Sequence, residues 1–139
     1  MTDLVITAAS VISGAGAPTT GGIAGATIPA GSVVYLDTTT TGKWQLADSD
    51  AATSAARGLG RTGIALNSAS LNQPINVQTS GLITLGAVLT AGTAYYLSDT
   101  PGMLCPLADI TGGDYLVLLG LATSASVLHL DVQYSGVAS

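Results

Sequence analysis

"AGSVVYLDTTTTGKWQLAD" occupies residues 30–48, and at an offset of 61 the chain reads "AGTAYYLSDTPGMLCPLAD", residues 91–109. The match extends upstream at the same offset, with "GATIPAG" (25–31) on "GAVLTAG" (86–92). Downstream the offset shrinks as loops shorten. "GIALNSAS" (63–70) falls on "GLATSAS" (120–126), and "NVQTSG" (76–81) on "DVQYSG" (131–136). One unit therefore covers 21–81 and a second 82–136, after an unrepeated arm, 1–20. Two copies are too few for a solenoid, which buries a continuous core only by stacking three or more. The expectation is one domain, 21–139, in which two related β-units share a core by pseudo-two-fold packing.

The punctuation of each unit predicts the same hairpin. "VVYL" (33–36) and "AYYL" (94–97) are β-branched and aromatic runs, which favour strands. A turn follows each; Pro101-Gly102 suits the centre of a type II turn, because proline presets φ and glycine accepts φ > 0. The returning strands are "KWQLA" and "LCPLA". At the common offset Cys105 aligns with Trp44 and Pro106 with Gln45. Proline cannot donate to a ladder, so the second return strand is expected at a sheet edge. In "VLHLDVQY" (127–134), Leu128, Leu130, Val132 and Tyr134 share one face while His129, Asp131 and Gln133 share the other. In the first unit Ile75, Val77 and Thr79 align with Leu130, Val132 and Tyr134. "SDAATSAARG" (49–58) is the one stretch that suits a short helix. "DLVITAASV" (3–11) suits a strand, and "SGAGAPTTGG" (13–22) reads as a mobile linker.

Composition points the same way. Charged residues are 8% of the 139, with eight Asp, no Glu and no Phe. Surface helices draw their wet face from Glu, Lys and Arg; here Thr (18) and Ser (13) supply the polar surface. The fold class expected is all-β, a jelly-roll-like sandwich or barrel built from two related tandem units. Mean hydropathy is +0.55, yet the longest apolar run, "YLVLLGLA" (115–122), is far shorter than the ~20 residues of a membrane helix. The N-terminal "MTDLVITAASV" has an Asp and no positive n-region, so no secretory signal and synthesis in the cytosol are expected. A net charge of −5 with no basic face argues against nucleic acid as a partner. An apolar, charge-poor chain of this kind is expected to have part of its surface covered by a partner or by its own copies.

Catalytic and binding motifs fail on context. Gly58-Leu-Gly60-Arg-Thr-Gly63 fits G-x-G-x-x-G, but "IAL" after it reads as a strand and no acid follows at the ribose-binding distance. The single His129 lies on the wet face of a strand beside Asp131, without a nucleophile to complete a triad and too few ligands for zinc. Asp48 and Asp50 read as turn aspartates rather than a calcium loop. Cys105, the only cysteine, reads as a small buried hydrophobe. The expectation is a non-enzymatic scaffold with no catalytic residue, no metal and no cofactor.

"GIALNSASLNQPINVQTSGLITLGAVLTAGTAYYLSDTPGM" (63–103) with "YLVLLGLATSASVLHLDV" (115–132) resembles small structural proteins of tailed bacteriophages, and "VVYLDTTTTGKWQLADSDAA" (33–52) is similar too. The cadence looks like that of head decoration or cement proteins, and covers most of 21–136. The resemblance implies an all-β virion protein, dimeric or trimeric. It would bind the outer surface of the capsid between major capsid subunits and hold the expanded head against packed DNA. A fibre or host-attachment β-domain is the alternative, set back by loops of Gly, Ser, Thr and Asp where receptor-binding loops are rich in aromatics. No site residue carries over from the resemblance.

Partner-contact candidates come from the residues themselves. Leu4, Val5 and Ile6 form an apolar stretch of the arm that can add as a strand to a neighbour's sheet edge. Lys43, Arg57 and Arg61 are the only cations, gathered within 43–61 of an otherwise acidic chain. They suit an acidic capsid surface. The second unit has uncharged residues in their places, so the fold itself does not require them.

Overall fold

A computed structural model describes residues 4, 6, 7, 10–38, 42–49, 61–106 and 115–138, the last four by their main chain. It is nearly all β, with two antiparallel sheets packed against each other as a sandwich. The strands are β1 (Ile12–Ser13), β2 (Thr19–Ile23), β3 (Val33–Leu36), β4 (Trp44–Leu46), β5 (Thr62–Ala65), β6 (Pro74–Gln78), β7 (Ser80–Thr84), β8 (Ala94–Leu97), β9 (Leu104–Pro106), β10 (Tyr115–Ala122) and β11 (Val127–Ala138). One sheet runs β2-β6-β5-β3-β4 and the other β1-β7-β11-β10-β8-β9. Setting β2 to β6 against β7 to β11 in chain order makes the two strand orders identical, with β1 added at one edge. Each repeat is thus one sheet. A jelly roll deals its strands to both sheets in turn; here, apart from β1, each sheet is continuous in sequence, and among the described residues no ladder joins one sheet to the other, which makes a sandwich rather than a closed barrel.

The repeat is also visible in single hydrogen bonds. Gly31 N donates to Ala65 O (2.8 Å) as Gly92 N does to Ala122 O (2.7 Å). Ala65 N donates to Ser32 O, and Ala122 N to Thr93 O, both at 2.9 Å. Ile28 N reaches Ala69 O at 2.8 Å, and Leu89 N reaches Ala125 O at 3.0 Å. These bonds close the entry loop of each unit over its own sheet. The predicted turn forms as well: Met103 N bonds Thr100 O (3.1 Å) and Gly102 has φ 78°, the type II geometry that a side chain would strain.

Registers correct two of the sequence alignments. Leu36 pairs with Trp44 and Leu97 with Leu104, while Tyr35 pairs with Gln45 and Tyr96 with Cys105. Leu104 therefore stands where Trp44 does, Cys105 matches Gln45, and Pro106 matches Leu46. The turn in the first unit is one residue longer, which slips the return strand. Pro106 still lies on an edge strand, β9, as expected. Further on, Ala65 pairs with Val77 but its counterpart Ala122 pairs with Leu128, so Val77 corresponds in space to Leu128 and not to Val132. The shift is even, so the apolar face is kept.

The packing of the units is front to back, not two-fold. Tyr95, Leu97 and Leu104 lie in or against the core between the sheets, together with Val33 and Ile64 of the first sheet. Their counterparts Val34, Leu36 and Trp44 lie on the opposite face of the first sheet, in a second core with Ala24, Ile28, Ala65, Ala69, Ile75 and Val77. A two-fold would bring equivalent residues into one shared core. The first sheet instead buries both faces, one under its own loops and one under the second sheet, and its strand β5 is buried at all four positions. The turn of the second hairpin ties the layers together: Val33 N donates to Gly102 O (2.9 Å) and Gly102 N to Ala47 O (2.7 Å).

The stretch 13–22, expected as a mobile linker, is built into the sheets. Ile12–Ser13 pairs with β7 and Thr19–Ile23 with β6, so this segment edges both sheets. Among the described residues the first strand begins at Ile12; of the stretch 3–11 expected to form one, residues 3, 5, 8 and 9 lie outside the described residues. The expected helix lies outside the described residues beyond Ser49, which sits in a turn.

Candidate interaction surfaces

Two of the three cations come together through β3. Leu36 N donates to Arg61 O and Asp37 N to Lys43 O, each at 3.0 Å. Lys43 and Arg61 thus directly precede the two strands, β4 and β5, that flank the same end of β3, about two strand spacings or ~10 Å apart across the sheet. Lys43 is half-buried and its Nζ donates to Asn72 Oδ1 (2.5 Å). Arg61 is exposed and borders an open cleft of about 510 Å³ with Thr20, Thr62, Thr79, Asp131 and Val132. Asp131 also accepts a hydrogen bond from Gln133 Nε2 at 3.3 Å. Arg57 lies outside the described residues. Beside this end of the sheet, burial and then the negative charge of Asp37 push the Tyr35 phenol above its ordinary value.

The arm is used within the chain. Leu4 N donates to Leu104 O of the edge strand β9 (2.9 Å), and Leu4 and Ile6 pack against the inter-sheet core. With Pro29, Gly31 and Met103 they line a small cavity of about 160 Å³. Val5 lies outside the described residues. An edge strand is where added backbone finds unpaired groups, and here the arm reaches its own chain's edge.

A third surface was not singled out by sequence. Ile12 (61% exposed), Leu82 (48%) and Leu121 (52%) lie on the outer face of the six-stranded sheet. Leu82 pairs with His129 across β7 and β11, and His129 with Leu121 across β11 and β10, so the three form one cross-strand row. Ile12 pairs with Thr84 one row away. His129 and Asp131 are exposed on the same face, as the alternation of β11 predicts. That alternation was the available signal, but placing Leu82 and Leu121 beside His129 needs the strand pairing.

Elsewhere the chemistry is sparse. Cys105, the single cysteine of the sequence, is buried. Among the described residues no three His, Cys or Asp side chains cluster to hold a metal ion, and no helix is long and apolar enough to cross a membrane. Thr62 follows Arg61 directly into β5, so a strand stands where a dinucleotide fingerprint needs a helix. No protein-family model matches the sequence, and no curated protein matches it either.

Proposed function

We propose that this chain is a structural virion protein of a tailed bacteriophage. It binds the outer surface of the capsid, bridges neighbouring major capsid subunits, and stabilises the expanded head. It acts as a homo-dimer or homo-trimer, without cofactor or nucleic acid. The observation that carries the reading is the placement of Lys43 and Arg61, two of the chain's three cations, at one end of β3, a polar contact with Asp37 beside it on a chain of net charge −5. Such a contact suits an acidic protein lattice. The sequence cadence of both units supports the same class. Many copies on one shell multiply a modest affinity, and a protein that binds only the expanded lattice stabilises it by mass action.

The test is co-sedimentation with purified, DNA-filled heads, against unexpanded heads and tail fractions. The protein should pellet with expanded heads alone. Neutralising Lys43, Arg57 and Arg61 together should weaken binding most at low salt, where screening is least, with the melting temperature of the free protein little changed. Absence from head pellets, or pelleting with tails instead, rejects the reading. Equal binding of mutant and parent across the salt series rejects the cationic contact.

A further inference from the structure

We infer that the outer face of the six-stranded sheet is a homodimer interface, in which a second copy presents the same face across a two-fold axis. The inference gives a place to the self-association contained in the proposed function and rests on that part of it, not on the capsid.

Front-to-back packing leaves one sheet face uncovered. On one face of the first sheet Val33 and Ile64 are fully buried under the second sheet, with Tyr35 partly buried against the same core. By hairpin and ladder register, Val33 corresponds to Ala94 and Ile64 to Leu121. The equivalent face of the second sheet is the one that carries Ile12, Leu82 and Leu121 into solvent. One copy of the repeat has this face covered, and the other has it open.

A continued stack of copies is excluded. Covering the open face in the same way needs the inner face of another unit. In a second copy that face is taken: Val34, Trp44, Ala65, Ile75 and Val77 are sealed beneath Ala24, Ile28 and Ala69. What a second copy does have free is the same outer face, and a surface that meets itself does so about a two-fold.

The polar residues of the face are self-complementary. Among the described residues this face carries one histidine, His129, and one aspartate, Asp131, two positions apart on β11, with Asp131 also bordering the cleft of Arg61. A two-fold axis lying between the facing sheets, perpendicular to β11 near Leu130, sets His129 against the partner copy's Asp131, and Asp131 against its His129. The apolar row of Leu82 and Leu121 flanks this double pair and shields it from water. An acidic partner surface would leave Asp131 opposed by like charge.

Sedimentation analysis of the free, full chain at about 100 µM, above the Kd of a weak interface, should give twice the 13.6 kDa chain mass. Leu82→Asp and Leu121→Asp alter exposed positions; each should return the monomer mass with the far-UV spectrum and melting of a folded protein. His129→Asp places acid against acid and should raise the dimer Kd about tenfold or more. The exchange His129→Asp with Asp131→His should restore it to within about threefold of the parent, which loss of folding could not do. A monomeric parent, a trimer, a dimer that survives both leucine variants, or a charge exchange without recovery would overturn the inference. None of these readouts involves heads, so failure of the capsid reading would be seen separately.

Discussion

Gly63 and Gly120 meet the same main-chain oxygen in the two copies of the repeat. A Cβ on Gly63 would stand 2.3 Å from Gln78 O, and one on Gly120 would stand 2.1 Å from His129 O. Gln78 pairs with Ile64 and His129 with Leu121, the residues that follow each glycine. The obstacle is backbone, so no rotamer change relieves it. Gly63→Ala and Gly120→Ala should each destabilise by about 1–3 kcal/mol, the range for overpacking a dense interior. Urea unfolding checks this; an unchanged midpoint for either variant would show that the strands part without cost.

The duplication was readable in the sequence because turn residues and strand residues recur together, Gly31 with Gly92 and Tyr35 with Tyr96. The one-residue slip at Cys105 was hidden because "TTTTGK" and "DTPGM" differ in length inside otherwise matching flanks. Front-to-back packing was hidden for another reason. Alternation says which residues share a face, not which face meets which sheet, and Val33 and Val34 are equally apolar. Lys43 and Arg61 were visible as a cluster, but only the ladders on both sides of β3 bring them to one end. Leu121 was masked by its run, "YLVLLGLA", in which every neighbour is apolar or glycine.

Trp44 is 1% exposed and anchors the core on the far face of the first sheet. Its indole lies where a Cβ on Gly22 would be, with Nε1 2.6 Å from that point, so glycine there admits the ring. Trp44→Ala should cost about 3–5 kcal/mol. Trp44→Leu, the residue used at the matching position Leu104, should cost measurably less. Denaturant unfolding followed by far-UV circular dichroism compares the two; equal losses would contradict the equivalence of these positions.

Gln78 is fully buried where the chain crosses from β6 to β7. Its Nε2 donates to Ser80 O (2.9 Å) and Leu82 O (2.8 Å), and its Oε1 accepts from Ser13 Oγ (2.9 Å). One amide therefore joins both sheets and pins β1 to its edge. Gln78→Leu keeps the volume but strips donors from two carbonyls, and should cost about 1–3 kcal/mol. The loss should concentrate at β1, so the Gly14 amide, bonded to Leu82 O at 2.9 Å, should exchange faster with deuterium. Unaltered protection at Gly14 would show that the strand is held by its ladder alone.

Tyr35 links the core to alkaline stability. Its phenol is pushed above the ordinary value of 10.0, first by burial and then by the charge of Asp37, because both disfavour the phenolate. The unfolded chain then ionises this group at a lower pH than the folded one does. The contribution is fully present below pH 10.0 and is lost as pH rises through the folded value above it. The urea midpoint should fall through this range for the parent protein and fall less steeply for Tyr35→Phe, which has no proton to lose. Asp37→Asn, by removing the second cause only, should bring the Tyr35 titration part of the way back, as read by tyrosinate absorbance. The same alkaline slope in parent and Tyr35→Phe would assign the loss to other groups and remove Tyr35 from the account.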